Sequence, residues 1–186
     1  AGNVHLVERL RGELQVPIFF IETALHFPET MQLKERWEER LGYTMVSLTS
    51  SLSLAEQAAH YGDKLWERNP NQCCTIRKVE PLRNYLQDKV AWVTGIRREQ
   101  AVTRKNAKKV EWDSNFQLVK LNPLADWSEE QVWDHIQAHQ LPYHPLHDQS
   151  YPSIGCAVCT RPVALGEELR AGRWSGHGKI ECGLHG

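Results

Sequence analysis

Five cysteines carry the chemistry this sequence could perform: Cys73 and Cys74 side by side, Cys156 and Cys159 as a C-x-x-C pair, and Cys182 alone near the C-terminus. A vicinal pair cannot bridge to itself without strain, because disulfide geometry wants the two Cα atoms well separated. Four thiolates gathered from two distant segments fit a metal centre, and both zinc and iron–sulfur clusters accept such a set. C-x-x-C by itself is shared by zinc ribbons and redox motifs. Zinc sites are usually built from two C-x-x-C-like knuckles, and adjacent cysteines are not one. Neighbouring ligands that project in different directions suit the wider face of a multi-iron cluster. Spacing alone leaves a cluster, a zinc ion, and redox or structural thiols open. Arg77 and Lys78 follow the pair on a presumed helix, where cations would offset the charge of clustered thiolates.

Cys182 stands in a small, polar segment, Lys179-Ile-Glu-Cys-Gly-Leu-His185. One reading is a stray exposed thiol. The other is a nucleophile, since flanking cations such as Lys179 and His185 raise the reactive thiolate fraction. A second candidate anion site is the basic run Arg97, Arg98, Arg104, Lys105, Lys108 and Lys109, opposed only by Glu99. Such a block is either a solvated loop face or a place for phosphate or sulfate groups. Nucleic acid is a poorer fit, because the run is short and no recognition motif accompanies it.

Elements that alternate in type must position these groups. Pro17 to Ile21 reads as a strand buried on both faces, and Tyr43–Leu48, Ala91–Thr94 and Gln117–Leu121 as further strands. His5–Leu14 reads as an amphipathic helix with Leu6, Leu10 and Leu14 on one face. Pro28 opens a helix to about Leu41, stopped by Gly42. Ser53 caps a helix to Tyr61, and Ser128 with Gln131 caps one to His139. Helices interleaved with short apolar strands predict an α/β fold with a mostly parallel sheet flanked by helices. After Leu141 periodicity fades, and the Cys-bearing tail reads as irregular.

The 186 residues, 41% hydrophobic and 24% charged with a formal net charge of −1, describe an ordinary globular chain organised as a single domain. No apolar run approaches the roughly 18–20 residues of a membrane span, and the charged opening segment does not read as a leader. The expected address is the cytoplasm.

Four stretches together resemble the thioredoxin-dependent assimilatory sulfonucleotide reductases: Cys73-Cys-Thr-Ile-Arg-Lys-Val-Glu-Pro-Leu82, Thr94-Gly-Ile-Arg-Arg-Glu-Gln-Ala-Val-Thr-Arg104, Tyr151-Pro-Ser-Ile-Gly-Cys-Ala-Val-Cys-Thr-Arg-Pro162, and Arg170-Ala-Gly-Arg-Trp174 through Glu181-Cys-Gly-Leu-His185. The resemblance implies an adenine nucleotide alpha-hydrolase-like fold. It implies a [4Fe–4S] cluster held by Cys73, Cys74, Cys156 and Cys159, with Cys182 as nucleophile on a mobile tail over residues 170–186. Lys78, Arg170, Arg173, Arg97 and Arg104 would bind the phosphosulfate. The implied reaction, in sulfate assimilation, releases sulfite and AMP from adenylyl sulfate (APS) through an S-sulfocysteine, with a thioredoxin-like dithiol as electron donor. Assembly into a homo-oligomer is compatible with the sequence.

Two departures bear on that reading. The chain opens at Ala1-Gly2-Asn3, where relatives have already supplied a strand and a phosphate-cradling loop, so the phosphate-loop segment is expected to be missing. Relatives usually carry Asp-Thr-Gly where this chain has Glu22-Thr-Ala24, and a Cβ at Ala24 would crowd a nucleotide. Alternatives are reduction of the 3′-phosphorylated nucleotide (PAPS), or a non-catalytic, metal-stabilised binding module. An RNA-thiolating relative would need an ATP loop and an RNA-binding region that the sequence does not display.

Overall fold

Residues 16–185 are described by a computed structural model; the expected helix over residues 5–14 and the expected loss of the phosphate loop lie outside them. The described chain divides by its contacts into two compact units. The first holds residues up to 18, 33–46 and 86–143; the second holds 19–32, 47–85 and 144 onward.

In the first unit, β3 (Ala91–Val93) lies parallel to β5 (Leu118–Leu121), and β4 (Val110–Asp113) pairs antiparallel on the other side of β5. The β3–β5 pairing is the parallel arrangement expected of an α/β chain. β4 was not foreseen, because its pattern is inverted: Val110 and Trp112 are exposed while Asp113 is buried. Asp113 earns that burial by making the turn into β5. Its Oδ1 accepts from the Asn115 and Phe116 amides at 3.0 and 3.2 Å, and its Oδ2 accepts from Trp92 Nε1 at 3.2 Å. The helix Glu129–Ala138 carries the expected capping box at Ser128 and Gln131 and buries Ile136.

The second unit holds β1 (Phe19–Glu22) and all but the first residue of its partner strand β2 (Val46–Thr49); the connection between them contains α1 (Pro28–Leu41), whose residues from 33 on belong to the first unit. The helix α2 (Leu54–Tyr61) has a complete Ser53–Glu56 capping box and ends at Gly62, whose φ of 79° needs a residue without Cβ. A short helix, α3 (Leu65–Arg68), leads to α4 (Pro70–Cys74), begun by Asn69 capping the Gln72 amide with Pro70 at its start.

The chain then widens into a π-helical turn, Thr75–Val79, before α5 (Glu80–Leu86). Pro81 supplies the reason. It has no N–H to donate, and its ring would strike the carbonyl four residues back in a regular α-helix. The turn instead closes with the Glu80 amide donating to the Thr75 carbonyl, one residue longer than an α-helical bond. Leu65, Cys73 and Ile76 form a buried cluster beneath it, so the cysteine helix is fixed by packing on its apolar side. Among the described residues no helix is long and apolar enough to cross a membrane.

Two histidines of the second unit are held neutral by burial. His144 Nδ1 accepts from the Leu146 amide at 3.3 Å, and Nε2 meets Thr30 Oγ1 at 2.8 Å. Burial and nearby His147 lower its pKa, against an opposing pull from Glu29. His26, bonded to the Ile21 carbonyl at 2.9 Å, is likewise lowered by burial. The unfolded chain therefore takes up these protons at a higher pH than the folded one, and stability falls as pH drops below the ordinary histidine value of about 6.5. The melting temperature should fall between pH 7.5 and 5.5. The fall should be shallower in His144→Gln; an identical slope would remove His144 as a contributor.

Candidate functional site

Cys73 and Cys74 sit in the last turn of α4, and Cys156 and Cys159 frame a short 3-10 turn, Ala157–Cys159. All four line one cavity together with Leu25, Pro70, Arg77, Lys78 and Trp174. The expected gathering of two distant cysteine pairs is what the chain achieves. The two segments are joined through the β1 loop. The Ala157 amide donates to the Leu25 carbonyl at 2.8 Å, and Thr23 Oγ1 lies 3.4 Å from Cys156 Sγ. Thr23 is fully buried and was not singled out by the sequence. Ala24, in the same loop, adopts a left-handed φ of 59°, the region that favours the glycine expected there. Its amide donates to Glu22 Oε1 at 2.8 Å.

Burial pushes the free Cys73 thiol up to about 11 and Cys159 to about 12, with neighbouring thiolates adding to the effect. Burial also raises Cys74. Desolvation pulls the Lys78 pKa down, but the electrostatic pull of the Cys156, Cys182 and Cys74 sulfurs outweighs it and leaves it raised. The cavity is thus a low-dielectric nest of sulfur donors with cations at its wall. Among the described residues, no group of three or more His, Cys, Asp or Glu side chains is arranged to hold a single metal ion.

Arg170, Arg173 and Cys182 belong to the same unit. Arg170 Nη1 and Arg173 Nη1 both lie 3.4 Å from Ser153 Oγ, and Arg173 also donates to the Ile154 carbonyl at 3.2 Å. Gly155 permits this: a Cβ there would come within 2.2 Å of Arg173 Nη2. Arg170 donates to the Ile180 carbonyl at 2.9 Å and reaches Glu181 Oε2 at 3.5 Å. Lys179 donates to Asn71 Oδ1 on α4. These contacts fasten the segment carrying Cys182, which is half-buried and acts electrostatically on Lys78, Arg173 and Cys74.

Trp174 organises the cations. Arg173, Lys179 and Arg170 stand 4.4, 5.3 and 5.9 Å from its ring, within cation–π range, while its amide donates to the Cys159 carbonyl at 3.0 Å. Its φ of 48° and its position between cysteines and cations have no sequence signature, and neither does the placement of Ser153.

Arg97 and Arg104 belong to the first unit. Arg97 is buried and ion-paired with Glu129, and Arg104 donates to Gln100 Oε1 at 2.7 Å.

Residues 3–162 match the family model of the phosphoadenosine phosphosulfate reductase domain. An adenosine 5′-phosphosulfate reductase of Salinibacter ruber is 46% identical over 183 residues, covering 98% of this chain and 72% of the relative. One from Shouchella clausii is 51% identical, covering 90% and 70%. A phosphoadenosine 5′-phosphosulfate reductase of Gloeobacter violaceus is also 51% identical, again covering 90% and 70%. Among solved structures, the phosphoadenylyl-sulfate reductase of Candida auris in complex with phosphate superposes with a TM-score of 0.70 at 29% identity, covering 83% of this chain and 74% of that one. The FMN adenylyltransferase of Candida glabrata shares the fold, with a TM-score of 0.60 at 21% identity over 84% of this chain and 49% of that one.

Proposed function

The chain belongs to the phosphoadenosine phosphosulfate reductase domain family, and from that premise we propose that it is an oxidoreductase acting on sulfur, reducing adenylyl sulfate to sulfite and AMP. The observation that carries this is the placement of Cys182 with Lys78, Arg170 and Arg173 beside the four-cysteine cavity.

Cys182 Sγ attacks the sulfur of the phosphosulfate. The sulfur–oxygen bond to the phosphate breaks, its electron pair leaves with AMP, and an S-sulfocysteine remains. Lys78, Arg170 and Arg173 neutralise charge on the transferring sulfonyl group and the departing phosphate. A thioredoxin-like dithiol then attacks Cys182 Sγ, sulfite departs with the sulfur–sulfur electron pair, and the second thiol closes the donor's disulfide while freeing Cys182. Both electrons come from the dithiol.

The donor set of the cavity is all sulfur and is shared between two segments, with two adjacent cysteines on one of them. Adjacent ligands project in different directions, which suits a [4Fe–4S] cluster on Cys73, Cys74, Cys156 and Cys159 better than one tetrahedral zinc ion. When bound, the cluster would supply a rigid joint between α4 and the C-x-x-C turn and an anionic body for Arg77 and Lys78 to face.

PAPS is the second reading, favoured by the Gloeobacter relative that is named for it. Incubating the protein with either nucleotide and no reductant tests both. A sulfonate adduct on Cys182 by mass spectrometry, released as sulfite by a dithiol, is expected with adenylyl sulfate. An adduct only with PAPS would move the substrate, and no adduct with either would end the enzymatic reading.

A further inference from the structure

One buried polar contact joins α2 to the π-helical turn. Gln57, on α2, is 2% exposed, and Arg77, on the π-helical turn, is 3% exposed. Arg77 Nε donates to Gln57 Oε1 at 2.7 Å. Arg77 is also one of the residues lining the cysteine cavity, and its Nη2 nitrogen is buried with no hydrogen-bond partner among the described residues. A buried donor on a charged group is costly to leave unmade, so an unpartnered Nη2 at the wall of a cavity points to an acceptor that belongs inside it.

The guanidinium is planar, so fixing Nε against one acceptor also fixes the plane in which Nη2 lies. Gln57 is itself well anchored. Its backbone N–H donates to the Ser53 carbonyl at 3.0 Å, in the first turn of a helix closed by a full capping box. We propose that Gln57 is a positioning residue of the cysteine centre, holding the Arg77 guanidinium so that its free edge donates to the anionic, thiolate-held group in the cavity. The role rests on the cluster reading above and assigns to Gln57 a part in it.

Groups that orient the neighbours of a metal site typically change metal affinity by about 10–100-fold when lost. The measurement is iron release to a chelator under anaerobic conditions, followed by the decay of visible absorption in the full chain. Gln57→Met keeps the side-chain length and removes the oxygen acceptor. It should release iron about tenfold faster than the wild type. Arg77→Lys keeps the charge and removes the fork, and should do the same. The double variant should be no faster than Arg77→Lys alone, because Gln57 acts only through Arg77. Release at the wild-type rate in either single variant, or effects that multiply in the double one, would overturn the role. If Gln57→Met does not fold, Arg77→Lys alone decides, since a wild-type rate there would show that guanidinium geometry is irrelevant. Wild-type protein purified anaerobically without iron and sulfide overturns the cluster itself, a result read before any variant is made.

Discussion

Replacing Cys182 by serine should lower turnover by about 10⁴-fold or more and abolish the sulfonate adduct, while iron content and fold stay as in the wild type. The hydroxyl is a far weaker nucleophile than a thiolate, and no other cysteine can substitute. Cys73, Cys74 and Cys156 are buried, and burial holds the Cys159 thiol at about 12. The half-buried Cys182 is not among the four cysteines that line the cavity, yet it shares the surroundings of Lys78 and Arg173 with them. Loss of iron together with activity in Cys182→Ser would show that this residue supports the centre instead of doing the chemistry.

The opposite pattern is expected of Cys156→Ser. This residue joins the C-x-x-C turn to the β1 loop through Thr23, so its loss removes one donor and loosens the others. Ligation of a structural metal group contributes directly to folding free energy. Visible absorption should be lost, and the melting temperature should drop by on the order of 10 °C, as expected from a few kcal/mol in a chain of this size. Anaerobic absorption spectra and thermal unfolding of the two proteins side by side would settle it. A colourless Cys156→Ser protein that melts with the wild type would show that the cysteine centre is not structural.

The parts of this fold that the sequence announces are those where apolar runs and cap residues coincide with an element. The capping boxes at Ser53 and Ser128 and the strands at Phe19–Glu22 and Ala91–Val93 form where expected, but the first strand is half-buried instead of buried on both faces, and Val93 is exposed. β4 escaped because a buried Asp113 and an exposed Trp112 contradict binary patterning, and only the turn at Asn115–Phe116 explains them. The cysteine set was legible from identity and spacing. Its polar surroundings were not, because the buried Thr23 and Gln57 and the half-buried Ser153 are of types that ordinarily face water, and nothing local marks their placement. Trp174 needed a left-handed backbone that spacing cannot reveal. The basic run over residues 97–109 read as one patch, yet its members separate into a buried, paired Arg97 and an Arg104 tied to Gln100.

The π-helical turn at Thr75–Val79 has a consequence for how this protein can change over evolutionary time. Each residue in a helix advances the chain by about 100°, so the turn sets the rotation between Cys73–Cys74 on one side and the buried Val79 and Leu82 on the other. Many single substitutions in this stretch leave that rotation untouched. Deleting one residue would force the turn to close as a regular α-helix, which Pro81 opposes because its ring would strike the carbonyl four residues back. The segment should therefore accept exchanges of residue type and reject changes of length, so that insertions and deletions among descendants of this chain fall elsewhere.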